Sequence, residues 1–215
     1  LVNNRDISQF KIHISSKSPA VKTASDEIVK YLNTQDPAGD CNIHVGIVKE
    51  IPELSHVADQ VEEEGILLRI LGEDIYIAGG SGRAVIYAAY EFLERFCGWR
   101  FFAPGVETEP VGTVNLEDAE YMFNPPWEYR MNLLPSAGEG TSHFRKRHLN
   151  ARWGSTPEPE ELGGSITFAT QQNCHTFHDL LPADIYFAEH PEYFAMNEQG
   201  ERVLNKRICD TQPCL

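Results

Sequence analysis

The sequence has little positive charge and no long apolar run. Its 215 residues carry 18 lysines and arginines against 32 aspartates and glutamates, which gives a formal net charge of -14. A surface this acidic repels nucleic-acid phosphates, so we expect no nucleic-acid partner. A membrane-spanning helix needs roughly 20 apolar residues. No stretch of the sequence approaches that length, and we expect no membrane span.

Cysteines are also scarce. Five are too few for a disulfide scaffold in a chain of this length, and their number is odd. Cys97 lies on the apolar side of a predicted helix, which is typical of a buried thiol. One cysteine and two histidines in 174–178, with Cys209 and Cys214, allow either a structural zinc site or a disulfide. The spacing does not match usual zinc motifs, so we expect no metal and no cofactor, and a disulfide is favoured if the protein is exported.

The first 125 residues alternate between strand and helix patterns. The predicted strands are FKIHIS (10–15), NIHVGIV (42–48) and the two halves of GILLRILGEDIYIAG (65–79), which a tight turn at 72–74 joins. Ser18 and Pro19 predict the start of one helix, and a second helix ends at Gly98. We therefore predict a complete α/β domain over 1–125, with a boundary at the prolines that begin with Pro125.

Residues 126–215 have a different pattern. WEYRMNLL (127–134) predicts a buried strand, and SHFRKRHLNARWG (142–154) predicts a helix. The basic run 145–147 is interpreted as the solvated face of that helix. A helix started by a proline is predicted near PADIYFAEHP (182–191), and a hairpin around MNEQGERV (196–203).

A glycine cluster, 79–82, opens the second helix. A phosphate-binding P-loop requires a lysine directly after its last glycine, and Arg83 follows Gly82 here. A dinucleotide fingerprint requires a third glycine, and Val85 stands at that position. The cluster therefore predicts a bend between strand and helix, with Ser81 as the helix cap.

The stretch from this cluster to 105, GGSGRAVIYAAYEFLERFCGWRFFAPG, resembles a known domain. It is similar to the last strand–helix–strand of the small α/β domain that precedes the barrel in family 67 α-glucuronidases and family 20 β-N-acetylhexosaminidases. The matching positions are Gly79, Gly82, Tyr87, Ala88, Tyr90, Phe92, Leu93, Glu94, Gly98, Trp99, Arg100, Phe102 and Pro104. WEYRMNLLP resembles the first barrel strand of these enzymes. The region from 174 to 203, together with RICDTQP (207–213), resembles the early barrel in a family of bacterial polysaccharide-utilisation proteins.

The resemblance implies an α/β fold class, with an α+β sandwich accessory domain in 1–125 and the beginning of a TIM-like barrel in 126–215. A full barrel takes roughly 250 residues, so we expect an incomplete one. The implied function is that of a glycoside hydrolase-like protein acting on complex carbohydrate, with this chain as its N-terminal portion. The alternative is a non-catalytic carbohydrate-binding or scaffold protein.

Three side chains are predicted to contact a carbohydrate. In the relatives, an arginine at the end of the first barrel strand holds sugar hydroxyls, and Arg130 is at that position; a structural salt bridge is its alternative role. His175 corresponds to a histidine of the polysaccharide-utilisation pattern, and its alternative role is packing. Trp153 offers an apolar platform for a sugar ring, with a place in the core as its alternative.

Catalytic residues stay unassigned. The paired carboxyl groups of glycoside hydrolases lie on middle and later barrel strands in the relatives, and we expect them beyond Leu215. The chain begins Leu-Val-Asn-Asn without an initiator methionine, which is interpreted as the removal of a leader. Because polymeric glycans do not cross membranes intact, the expected location is periplasmic or extracellular.

Overall fold

The computed structural model describes residues 1, 6–7, 10–33, 41–132, 143, 145–152, 158–166 and 180–203. The chain forms two compact units, Leu1–Ile166 and Thr167–Leu215. No helix among the described residues is long and apolar enough to cross a bilayer.

The first unit alternates strands and helices. Its strands are β1 (Phe10–Ile14), β2 (Cys41–Ile47), β3 (Ile66–Leu71), β4 (Asp74–Gly79), β5 (Arg100–Ala103), β6 (Val106–Thr108), β7 (Ala119–Phe123), β8 (Met131–Asn132) and β9 (Ala151–Arg152). Its helices are α1 (Pro19–Leu32) and α2 (Gly82–Arg95). Short 3-10 turns cover Val48–Glu50, Pro52–Leu54, Ala58–Gln60 and Glu160–Leu162.

Five strands form the main sheet, in the order β1-β2-β4-β3-β7. The pairs β1–β2 and β2–β4 are parallel, whereas β3 runs antiparallel to both of its neighbours. Two small sheets accompany it, the antiparallel pair β5–β6 and the parallel pair β8–β9. The predicted α/β fold and the strands predicted before residue 80 are confirmed.

Two apolar clusters lie on opposite faces of the sheet. Leu68 and Ile77 belong to the larger cluster with both helices, and Leu67 and Ala78 belong to a smaller one with the turns in 48–61. Neighbouring residues of a strand point to opposite faces. The helices therefore cover one face and the turns cover the other.

The glycine cluster brings the end of β4 close to its neighbours. A Cβ atom on Gly79 would lie 2.5 Å from the backbone of Ala84 and Val85, and one on Gly80 would lie 1.8 Å from the carbonyl oxygen of Glu62. Both positions therefore require glycine on steric grounds. This supports the interpretation of the cluster as a bend.

Two predictions for the region after the main sheet are wrong. The helix predicted over 142–154 does not extend through that range, because residues 147–148 form a turn and Ala151–Arg152 is the strand β9. His148 has a positive φ of 57°, which ends the helical turn before it. Arg145 and Lys146 are only 2% and 7% exposed, so the basic run is not a solvated face.

The described part of the second unit contains short elements. The helix α3 (Ala183–Tyr186) follows Pro182, and a 3-10 turn covers Pro191–Tyr193. An antiparallel bridge joins Met196 and Arg202. The predicted proline-started helix and hairpin are confirmed there. The barrel over 126–215 stays a prediction.

Candidate functional site

A carboxylate in the loop before β3, Glu64, joins the main sheet to the residues after β7. Its Oε1 accepts a hydrogen bond from Arg83 at 2.6 Å, and its Oε2 accepts one from Arg130 at 2.7 Å and one from Asn150 at 3.1 Å. Burial alone would raise the pKa of Glu64, but these hydrogen bonds and the charge of Arg83 hold it below its usual value. Glu64 is therefore an ionised anchor at neutral pH.

The guanidinium of Arg130 is held on three sides. Besides the contact with Glu64, its Nε donates to the carbonyl oxygen of His148 and its Nη1 to that of Trp127, each at 2.7 Å. The salt bridge considered as the alternative role of Arg130 is present. Its contact with a sugar stays a prediction.

Arg145 is buried because it binds backbone carbonyl groups. Its Nε donates to Leu162 at 2.8 Å, and its two Nη atoms donate to Leu149 and Gly164. Burial lowers the pKa of this guanidinium. Arg145 thereby ties the turn at 145–148 to the loop that contains Gly164.

Lys146 lies in a cage of aromatic rings. Its Nζ is 4.4 Å from the ring centroid of Phe101, 5.1 Å from that of Tyr90 and 5.4 Å from that of Tyr31. It also forms an ion pair with Glu107 and donates to the Tyr31 hydroxyl at 3.0 Å. Cation–π contacts and the carboxylate of Glu107 stabilise the buried ammonium. The sequence pattern of three adjacent basic residues does not reveal these partners.

The next two residues of this turn contact α2. Arg147 forms an ion pair with Glu94 at 2.5 Å, and the His148 ring stacks on Tyr87 with 5.1 Å between centroids. His148 Nε2 lies 3.5 Å from a carboxylate oxygen of Glu91. Burial nevertheless lowers the pKa of His148 to about 4, against the opposing charge of Glu91. The imidazole is therefore neutral at neutral pH.

These side chains border a cavity of about 400 Å³, here called the Trp127 pocket. Its walls include Glu91, Glu94, Trp127, Arg130, Arg147 and His148. Trp127 is 72% exposed, although a tryptophan usually buries most of its surface. The pocket thus combines a solvent-facing aromatic ring with several polar groups, as small-molecule sites do.

Two further cavities lie elsewhere in the first unit. One of about 420 Å³ lies where α1 and α2 begin, and there Arg83 donates to both Glu64 and the carbonyl oxygen of Gly163. One of about 390 Å³ is bordered by Trp99 and Cys97. Burial raises the pKa of the Cys97 thiol to about 12, so this cysteine, buried as predicted, is not a thiolate nucleophile.

Metal ligation has no support within the described ranges. No group of three or more histidine, cysteine, aspartate or glutamate side chains there is arranged to hold a metal ion. The cysteines and histidines of the zinc alternative, in 174–178 and at 209 and 214, lie outside the described residues.

The structure places one of the three predicted binding residues in the pocket. Arg130 borders it, whereas Trp153 and His175 lie outside the described residues. Sequence reasoning did not single out Trp127, which the structure exposes at this pocket. The pattern of 127–134 predicts a buried strand, and it carries no signal that Trp127 is exposed.

One comparison with known proteins identifies a family. A family model described as a domain of unknown function (DUF4838) matches residues 101–215, more than half of the chain. The match includes Trp127, Arg130 and the turn at 145–148, and begins after Glu91 and Glu94. No curated protein matches the chain.

Proposed function

The chain belongs to this family of unknown function, and we propose that it is part of a glycoside hydrolase-like protein that acts on complex carbohydrate. In this proposal the Trp127 pocket binds a sugar unit. The resemblance of 79–105 to the accessory domain of such enzymes supports the general class. The α/β fold of the first unit agrees with that resemblance.

The observation that carries the proposal is the exposed indole of Trp127 at a cavity of about 400 Å³. The apolar face of a pyranose ring packs on an aromatic face, while its hydroxyl groups remain at the edge. Carboxylates and guanidinium groups bind such hydroxyls, and Glu94, Arg130 and Arg147 border the same cavity.

The pocket is better suited to binding than to turnover. Glycoside hydrolysis requires one protonated and one ionised carboxyl group on either side of the scissile bond. Glu91 and Glu94 lie on the same helix, and each is in an ion pair with an arginine, Arg95 and Arg147 respectively. An ion-paired carboxylate is a poor proton donor, so we propose that this chain contributes substrate binding.

A periplasmic or extracellular location is part of the proposal. Its support is the expected substrate class, since polymeric glycans are degraded outside the cytoplasm.

Calorimetric titration with a panel of soluble oligosaccharides tests the proposal. We expect at least one to bind, and Trp127→Ala to weaken that binding about tenfold or more, which corresponds to roughly 1.4 kcal/mol. Phe102→Ala is the matched control, because Phe102 is 64% exposed and does not border the pocket. Absence of binding by the unmodified chain, or equal loss in both variants, would contradict the proposal.

A further inference from the structure

We infer that the Trp127 pocket takes neutral sugar units and discriminates against uronic acids and other anionic sugars. This inference rests on the proposed function, because it names the class of carbohydrate for the same pocket. It comes from the ion pairs that surround the cavity.

The two arginines of the pocket already have carboxylate partners. Arg130 Nη2 lies 2.7 Å from Glu64, and Arg147 Nη2 lies 2.5 Å from Glu94. Recognition of a sugar carboxylate is strongest when an arginine binds it with two parallel hydrogen bonds. All three nitrogens of Arg130 are engaged, by Glu64 and by the carbonyl oxygens of Trp127 and His148, and Glu94 already balances the charge of Arg147.

The positive charge of Lys146 also has a partner already. Its side chain is 7% exposed, and its charge is balanced by Glu107 and surrounded by aromatic rings. This ammonium borders the pocket, and an anionic ligand would meet it already paired with Glu107. The attraction is therefore largely cancelled before the ligand arrives.

His148 adds no positive charge at neutral pH. Its ring stacks on Tyr87 and lies 3.5 Å from Glu91. Because burial holds its pKa near 4, the ring is an uncharged hydrogen-bonding group there. The carboxylate of Glu91 is balanced instead by Arg95, at 2.7 Å.

An acidic sugar would thus bind with an energetic disadvantage. To pair with it, Arg130 would have to give up Glu64 or a backbone carbonyl oxygen, and Arg147 would have to share with the ligand the charge that now balances Glu94. The formal net charge of -14 also repels anions at long range. Neutral hydroxyl groups can hydrogen-bond to the same ion pairs without breaking them.

The experiment compares ligands that differ only in charge. Oligogalacturonate, oligoglucuronate and oligomannuronate are each titrated into the whole chain beside their carboxyl-reduced, neutral forms, together with a panel of neutral oligosaccharides. We expect a neutral ligand to bind at least about tenfold more tightly than its acidic counterpart. We also expect neutral binding to be insensitive to added salt, because no net charge is neutralised.

Two variants, Glu94→Gln and Arg147→Gln, should shift the preference for the neutral ligand in opposite directions. Glu94→Gln releases Arg147, so the preference for the neutral form should fall by about tenfold. Arg147→Gln leaves Glu94 without its partner, so the preference should rise. Thermal unfolding of both variants verifies that each is folded before its titration is interpreted.

Different results would contradict the neutral-sugar inference and the proposed function. Equal or tighter binding of an acidic form by the unmodified chain would overturn the neutral-sugar inference and leave the proposed function intact. Absence of binding by every ligand, neutral and acidic, would overturn the proposed function itself. A neutral preference that neither variant shifts would overturn the role assigned to the ion pairs.

Discussion

Glu64 connects parts of the sequence that are far apart. Its partners Arg83 and Arg130 lie 19 and 66 residues later in the chain. The Glu64 side chain is 12% exposed, so these two ion pairs are largely shielded from water. One carboxylate therefore holds both the start of α2 and a wall of the Trp127 pocket.

We predict that Glu64→Gln destabilises the protein by about 3 kcal/mol, since two guanidinium groups lose a shielded counterion. Urea unfolding measures this change. Glu63→Gln is the control, because Glu63 is exposed and its substitution should change the free energy of unfolding by less than about 0.5 kcal/mol. The pKa of Glu64 is lowered in the folded protein, so its contribution is present above the unfolded pKa of about 4.5 and is lost as the pH falls through the folded value. Equal stability of the two variants would contradict the anchoring role.

The pKa of His148 is lowered on folding, as that of Glu64 is, with the same consequence for acid stability. Its pKa falls from an ordinary 6.5 to about 4 on folding. Between these values the unfolded chain binds a proton that the folded protein does not, so stability decreases as the pH drops from 6.5 towards 4. The expected loss is on the order of 1–3 kcal/mol.

His148→Asn should flatten this pH dependence, because asparagine does not titrate and tolerates the positive φ of 57° at this position. Urea midpoints measured at several pH values between 4 and 7 give the slope. The variant is expected to be less stable at neutral pH, since the stack on Tyr87 is lost. An unchanged slope would show that other groups dominate the acid response.

At the scale of elements, the two main helices begin differently although both follow a serine. The Ser81 side chain accepts a hydrogen bond from the backbone N–H of Ala84 at 3.3 Å, whereas the Ser18 side chain makes no capping hydrogen bond. A proline at the first position of α1 removes one of the N–H groups that a cap would satisfy. We therefore expect the side chain of Ser81 to stabilise its helix more than the side chain of Ser18 does.

We predict that Ser81→Ala costs about 1 kcal/mol of stability and that Ser18→Ala costs a few tenths at most. Chemical denaturation of the two variants under the same conditions compares them directly, and each serves as the control of the other. A larger loss in Ser18→Ala would mean that the cap of α2 is not the stronger of the two.

The turn at 145–148 shows how an element can depend on its neighbours. Arg145 binds carbonyl groups, Lys146 occupies the aromatic cage, and His148 stacks on Tyr87. Together these contacts present Arg147 to the Trp127 pocket. A short turn with no core of its own gains its conformation from partners in α1, α2 and β5.

For the whole molecule, the extent of the folding unit matters. The sequence predicts a domain over 1–125, whereas the compact unit of the structure extends to Ile166. Unfolding experiments can distinguish these two extents. Tyr87 has no exposed surface, and its hydroxyl donates to the carbonyl oxygen of Leu149 at 3.1 Å. Ending the chain at 125 would remove this contact and the partners of Glu64 from 126–166.

We therefore predict that a fragment of residues 1–166 unfolds cooperatively and is several kcal/mol more stable than a fragment of 1–125. Urea unfolding of both fragments measures the difference. Limited proteolysis of the whole chain offers an independent check, with cleavage expected after 166 before any cleavage near 125. Equal stability of the fragments would instead support a domain boundary at Pro125.

We also predict that the 215-residue chain hydrolyses no glycoside. Loss of a general acid and base removes orders of magnitude of rate, whereas a hydrogen bond to a sugar contributes about 1–3 kcal/mol to binding. Incubation with a panel of aryl glycosides measures release of the aryl group. Robust release that one acid substitution within 126–215 abolishes would overturn this prediction.

The sequence by itself determined four of the five strands of the main sheet, its two helices and the bend at the glycine cluster, but not the strand β7. Apolar periodicity and glycine positions are local properties, and they predict local elements well. It also placed Arg130 among the candidate site residues. The α/β fold class follows from these elements in order.

Tertiary structure decided which charges are buried and what surrounds them. The run at 145–147 has the pattern of a solvated face, yet Arg145 and Lys146 are buried because carbonyl groups, aromatic rings and Glu107 surround them. Most of these partners are distant in the chain, from 17 residues for the carbonyl group of Leu162 to 115 for Tyr31. Burial of a charge depends on partners that the fold brings together, and the local sequence pattern does not reveal those partners.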